Sequence, residues 1–174
     1  GKTLIATLAI LSHISKQETK VVYLSPLRAL ASEKFEEFKK LETISGSKIK
    51  VAILTGDSNS TSKELDDANV VVLTNEEMDA HMAFGKDWVF EIGLVISDEI
   101  HLIGDSTRGP TLEMILTRLR TGFLGKNPPK IIGLSATISN SNELAEWLKC
   151  ELVESEWRPV PLIEAVYSNH TIMT

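Results

Sequence analysis

The chain has 174 residues, 43% of them hydrophobic and 24% charged, with a net charge of −6 and a pI near 5.3. This is enough chain for one domain with its own core, and no apolar run approaches the roughly 20 residues that a membrane span needs. The acidic balance argues against broad attraction to nucleic acid, so the scattered Lys and Arg leave room only for a contact specific in geometry.

The chain opens on Gly1-Lys2-Thr3, the last three residues of a phosphate-binding loop of the form G-x-x-x-x-G-K-[ST]. Residues 3–15 carry Leu4, Ile5, Leu8, Leu11 and Ile14 at helical spacing, with no signal-peptide pattern. Residues 21–24 form a short apolar strand ending at Ser25-Pro26, and 27–41 a helix with Leu30, Phe35, Phe38 and Leu41 near one face. A strand over 49–54 ends at Thr55-Gly56-Asp57, and 58–63 reads as a polar loop. A strand over 70–73 ends at Thr74, followed by a short helix over 76–82. The strand 94–97 runs into Asp98-Glu99-Ile100-His101. A helix over 110–119, a strand over 131–134 ending at Ser135-Ala136-Thr137, and a helix over 142–148 follow. Cys150 has no partner for an internal disulfide, which fits a reducing compartment, and reads as a small buried residue at a helix end. Two prolines within 157–162 favour an extended exit.

Strands alternating with helices, the strands apolar throughout, indicate an α/β domain with a mostly parallel sheet covered by helices on both faces. Such sheets bind ligands at the carboxyl ends of their strands. The acidic pair Asp98-Glu99 belongs at that edge. One carboxylate there can hold Mg²⁺ and the next can orient a water for attack on phosphate. If the strand continues through them, Asp98 and Glu99 point in opposite directions. Lys2 would place an ammonium on the β- and γ-phosphates, and Thr3 a hydroxyl on Mg²⁺. His101 reads as a polar link rather than the general base, because Glu99 is better placed. Ser135 and Thr137 could hydrogen-bond the carboxylate–histidine cluster and sense its state. Each motif alone has a plainer reading: an exposed lysine at a helix start, a capping carboxylate, a hydroxyl N-cap. Pro26-Leu27-Arg28-Ala29-Leu30, Thr55-Gly56-Asp57 and Thr74-Asn75-Glu76 bring a guanidinium, hydroxyls and helix N-termini to the same edge. Such groups contact phosphates and sugars, and together they read as a track for a nucleic-acid strand. A phosphate loop normally follows a strand. The chain therefore reads as cut short at its front, with a strand missing from the centre of the sheet or replaced by another pairing.

Taken together, these motifs resemble the first motor domain of superfamily-two DExH helicases. Ile103-Gly104-Asp105, Arg108-Gly109-Pro110-Thr111-Leu112-Glu113 and Trp157-Arg158-Pro159-Val160-Pro161-Leu162 resemble the Ski-two-like group, and within it archaeal repair helicases that unwind DNA at stalled forks. The resemblance implies a RecA-like P-loop NTPase domain over residues 1–156, incomplete at its N-terminus, and an extended connection over 157–174 toward a second RecA-like domain of the same parent chain. It implies ATP and Mg²⁺ as cofactors and 3′-to-5′ translocation on single-stranded or forked DNA, in a cytoplasmic, nucleoid-associated archaeal setting. By position, Gly1, Lys2 and Thr3 bind nucleotide, with Thr3 and Asp98 at the metal. Asp98, Glu99 and His101 serve hydrolysis, while Ser135 and Thr137 couple it to movement. Pro26, Arg28, Thr55, Gly56, Thr74 and Arg108 lie along the nucleic acid. The second motor domain supplies arginines in this family, so the fragment alone is expected to be nearly inactive. The alternatives are an RNA helicase of the same group, or a non-motor P-loop ATPase or nucleotide-binding switch. The latter has no need of the motifs at the other strand ends.

Overall fold

The strands are short apolar runs, and in the computed structural model of the chain every one of the main sheet lies parallel to its neighbours. The structure describes residues 1–44, 48–57, 59–122, 128–136, 140–155, 160, 166–168 and 171–173. They fall into two compact units, Gly1–Asn140 and Ser141–Thr174.

In the first unit the strands are β1 (Lys20–Ser25), β2 (Val51–Leu54), β3 (Val70–Thr74), β4 (Ile92–Ser97) and β5 (Lys130–Gly133). They pair in the order β2-β3-β1-β4-β5. The helices are α1 (Lys2–Ile14), α2 (Arg28–Lys39), α3 (Ser62–Asp67), α4 (Asn75–Ala83) and α5 (Gly109–Arg120). Successive side chains on a strand point to opposite faces, and the core divides accordingly. Val21, Tyr23, Val70, Val72, Leu94 and Ile96 pack with Ala6 and Ile10 of α1 and Ala31 and Phe38 of α2. Val22, Leu24, Val71, Leu73 and Val95 pack on the other face with Leu65 of α3, Met78 and Met82 of α4, and Ile115 and Leu119 of α5. Both faces are covered, so each of these strand side chains contributes about 1.5–3 kcal/mol of burial. The expected α/β architecture is present.

The five strands pair contiguously, the second of the two outcomes expected for the sheet: β5 bonds directly to β4, Leu94 opposite Lys130 and Ser97 opposite Gly133. Other sequence expectations change. In α1 the apolar stripe is buried only in part. Leu11 and Ile14 pack partly buried against the core, while Leu4, Ile5 and Leu8 are exposed and Ala6, Ile10 and His13 are buried. At about 100° per residue Ala6, Ile10 and His13 share the face opposite Leu4, Ile5 and Leu8. The polar stretch 58–63 contains the start of a helix. Thr61 accepts from Glu64 N–H while the Glu64 carboxylate accepts from Thr61 N–H, a capping box that opens α3.

Buried Lys20 underpins this region. Its ammonium donates to three carbonyls at the end of α3, Leu65 O (3.1 Å), Asp66 O (2.8 Å) and Ala68 O (2.8 Å), with Glu91 at 3.4 Å. In the second unit, α6 (Ser141–Leu148) precedes a two-stranded antiparallel ribbon of β6 (Val166–Ser168) and β7 (Thr171–Met173). That ribbon occupies part of the stretch expected to be extended. Cys150 is exposed rather than buried, because Lys149 at φ 55° turns the chain after α6. No described helix is long and apolar enough to cross a membrane.

Candidate functional site

β4 stops at Ser97, yet the chain just beyond it stays tied to both neighbours. Asp98 N–H donates to Leu24 O on β1 (2.9 Å). Leu134 N–H donates to Ser97 O (2.8 Å), and Ile100 N–H to Leu134 O (3.0 Å). Glu99 adopts a left-handed conformation, φ 48° and ψ 45°. A non-glycine residue there costs of order 1–3 kcal/mol, and such conformations concentrate at functional sites. The strand does not continue through Asp98 and Glu99, so a turn, and not the alternation of a continuing strand, sets their directions. The next residues, Ile100–Gly104, wind into a 3₁₀ turn that carries His101.

The two halves of the site meet through a direct contact. The Lys2 ammonium lies 2.5 Å from Glu99 Oε1, both side chains about a third exposed. Asp98 is held from two sides: Oδ1 accepts from Glu99 N–H (3.0 Å) and Oδ2 from the Tyr23 hydroxyl (2.7 Å). Burial first, and then the hydrogen bond and charge of Asp98, push the Tyr23 phenol far above its ordinary pKa, so it remains a donor. The Thr3 hydroxyl accepts from the Lys34 ammonium (2.9 Å), which also meets Glu37 (2.9 Å) and Glu33 (3.5 Å). Burial alone would lower the Lys34 pKa, but the hydrogen bond and charge of Glu37, with Glu33 behind it, leave it raised. His101 Nδ1 lies 3.3 Å from Glu99 Oε2 and 3.2 Å from Ser135 Oγ. One ring nitrogen thus serves two partners. As N–H it can donate to the carboxylate; as a bare nitrogen it accepts from the serine.

The strand order brings the proposed nucleic-acid residues to one edge, since β2, β3 and β1 are neighbours there. Arg28 Nη1 lies 2.9 Å from both oxygens of Asp57, and both side chains are exposed. Such a pair is worth 0–1 kcal/mol, so a phosphate can draw the guanidinium away. Gly56 has φ +82°, and a Cβ there would meet Glu77 Oε1 at 3.4 Å and Arg28 Nη2 at 3.5 Å. Thr55 and Thr74 are buried, and the Thr74 hydroxyl accepts from Glu77 N–H (3.4 Å) to cap α4. At those two positions the edge does not offer the side-chain hydroxyls to solvent. Pro26 is buried beneath it. Arg108 is exposed at the start of α5, where Asp105 accepts from Thr107 Oγ1, Arg108 N–H and Thr107 N–H. Those bonds, Thr107 foremost, hold the Asp105 pKa down to about 2. Thr137, and most of the stretch from Trp157 to Leu162, lie outside the described residues.

Sequence reasoning passed over Tyr23 and Lys34. Tyr23 has the look of any strand aromatic. Lys34 carries a signal: it falls between Ala31 and Phe38, the buried positions of α2, where a charge needs a partner.

The oxygen donors of Thr3 and Asp98 suit Mg²⁺, which binds through one or two protein oxygens plus phosphate and water. Among the described residues no cluster of three His, Cys, Asp or Glu is placed to hold a metal ion. Residues 1–145 match the DEAD/DEAH box helicase family. The chain belongs to that family. It is 46% identical over 167 residues to the ATP-dependent DNA helicase Hel308 of Pyrococcus horikoshii and 45% to that of Pyrococcus abyssi, covering 96% of this chain and 22% of each relative. It is 42% identical over 177 residues to Hel308 of Methanocaldococcus jannaschii, covering 99% of this chain and 14% of that protein. The chain thus spans 14–22% of the length of these relatives. Family membership and the five-stranded parallel sheet together make its first unit a RecA-like α/β domain.

Proposed function

We propose that this chain is part of the first motor domain of an ATP-dependent DNA helicase that couples ATP hydrolysis to 3′-to-5′ translocation and unwinding, serving replication-fork repair. The observation that carries the reading is the Lys2–Glu99 contact, which joins the end of a phosphate loop to an acidic strand end. The similarity to Hel308 proteins supports DNA as the polymer.

In this reading Lys2 leaves Glu99 for the β- and γ-phosphates of ATP. Thr3 and Asp98 would hold Mg²⁺, which when bound withdraws charge from the phosphate oxygens. Glu99, released from Lys2, orients the attacking water and accepts its proton. His101 exchanges its Nδ1 partner between Glu99 and Ser135, so the state of Glu99 reaches the segment after β5; Thr137 belongs to the same segment. Arg28 and Gly56 contact the strand's phosphates, Thr55, Thr74 and Pro26 shape the strand ends that present them, and Arg108 lies farther along the nucleic acid. Residues 157–174 lead to a second motor domain, and the parent protein works in the cytoplasm at the nucleoid.

The test is ATP turnover by the intact parent with single-stranded DNA or RNA of matched sequence, followed by unwinding of 3′- and 5′-tailed duplexes. DNA should stimulate turnover, and only the 3′-tailed duplex should open. Stronger stimulation by RNA, or opening from a 5′ tail, would overturn the substrate or the polarity respectively.

A further inference from the structure

We propose that Tyr23 and Lys34 are positioning residues through which one unit, β1–α2, holds both side chains that this chain would offer to a magnesium–nucleotide. The proposal rests on the nucleotide reading above and goes beyond it by assigning two residues outside the phosphate-loop and acidic motifs.

Each hydrogen bond fixes one feature of the donor set. A hydroxyl bonded to one carboxylate oxygen stops the carboxylate from rotating, and the Tyr23–Asp98 bond is 2.7 Å. With Glu99 N–H on Oδ1, the plane of the Asp98 carboxylate is set before any cation arrives. Lys34 acts on the other ligand. An ammonium has three donors and no acceptor, so at 2.9 Å it must face a lone pair of Thr3 Oγ1. The hydroxyl proton is turned aside and the second lone pair stays open. The Lys34 charge would repel a nearby cation, but Glu37 and Glu33 surround the ammonium and offset it. Such outer partners orient metal ligands, and their loss costs about 10–100-fold in metal affinity in well-studied sites.

Both groups belong to one rigid piece. Tyr23 lies on β1 and packs edge-on against Phe38 of α2, ring centroids 5.1 Å apart. Arg28 begins the same helix at the edge proposed for nucleic acid. From Arg28 to Lys34 is about 9 Å along a helix. A strand drawing Arg28 from Asp57 would therefore bear on the element that holds Asp98 and Thr3. The β1–α2 unit is placed to report DNA at the magnesium ligands without touching the nucleotide's phosphates.

The experiment uses the intact parent helicase and a fluorescent ADP analogue, with binding followed against Mg²⁺ concentration, with and without oligo(dT). The wild type should bind in a Mg²⁺-dependent way, and oligo(dT) should shift the half-saturating Mg²⁺. Tyr23→Phe keeps the ring on Phe38, and Lys34→Met keeps the stem; each should raise half-saturating Mg²⁺ roughly tenfold and blunt the oligo(dT) shift. Lys34→Arg should restore most of the wild-type behaviour. Thermal unfolding without nucleotide shows whether each variant is folded, and if Tyr23→Phe is not, the Lys34 pair decides. Unchanged half-saturation in folded variants overturns the proposal, as does tighter Mg²⁺ in Lys34→Met, which would make Lys34 a competitor. Wild-type binding that ignores Mg²⁺ would instead bring down the nucleotide reading, and this inference with it.

Discussion

Gly109 is the position where the smallest change should disturb the site most. A Cβ there would lie 2.2 Å from Ile103 O and 2.9 Å from Ile103 C, both backbone atoms. That is more than about 1 Å inside a comfortable contact, and backbone cannot swing aside as a side chain can. Gly104, in the same segment, has none of the described residues within 4 Å of its would-be Cβ and no positive φ. The two glycines form a matched pair. Gly104→Ala should be neutral or stabilise by up to about 1 kcal/mol, through lost freedom of the unfolded chain. Gly109→Ala should cost about 2–3 kcal/mol, the overpacking range. The strain has a direction: relief requires moving the 3₁₀ turn Ile100–Gly104, which holds His101 against Glu99 and Ser135. Urea unfolding of this chain gives the energies, and the His101 ring resonances report the contacts. If Gly109→Ala comes within about 0.5 kcal/mol of Gly104→Ala with His101 unmoved, the steric reasoning is wrong.

Lys20→Met should destabilise by about 2–4 kcal/mol, because three carbonyls at the end of α3 lose a charged donor; an unfolding midpoint equal to wild type contradicts this. Among the described residues Ser97 Oγ is buried without a hydrogen-bond partner, so Ser97→Ala should leave stability unchanged or raise it by up to about 1 kcal/mol, and a loss in the same unfolding assay would reveal a hidden partner. Burial lowers the pKa of His13 and His81 from the ordinary 6.5, with Lys130 adding to the effect at His13 and Lys86 at His81. As pH falls the unfolded chain takes up those protons first, so their contribution is complete above 6.5 and is lost as pH drops through it toward the folded values. His81→Gln retains an acceptor for Trp88 Nε1 (3.0 Å in the wild type) and should lose less stability than wild type between neutral and mildly acidic pH; equal losses would rule His81 out.

The parallel sheet was legible because its strands are apolar on both faces, a pattern only a covered sheet explains. The acidic turn and its histidine were legible as a motif, and the structure joins them to Lys2 and Ser135. What could not be read was geometry that spacing does not encode. Periodicity marks Leu4, Ile5, Leu8, Leu11 and Ile14 as one face, yet the sheet buries Ala6 and Ile10, takes Leu11 and Ile14 in part, and leaves Leu4, Ile5 and Leu8 exposed. The separation of Asp98 from Glu99 depends on a left-handed turn that no local rule assigns to glutamate. The partners of Asp98 and Thr3 come from 75 and 31 residues away in the chain, and only folding brings them together.

The central claim is that Glu99 handles the attacking water while Lys2, Thr3 and Asp98 hold the nucleotide. Single-turnover hydrolysis of ATP by the intact parent, with single-stranded DNA and its Glu99→Gln variant, tests this most directly. The variant should bind nucleotide as the wild type does, while hydrolysis falls by about 10²-fold or more. Hydrolysis at the wild-type rate with Gln at position 99 would contradict the account.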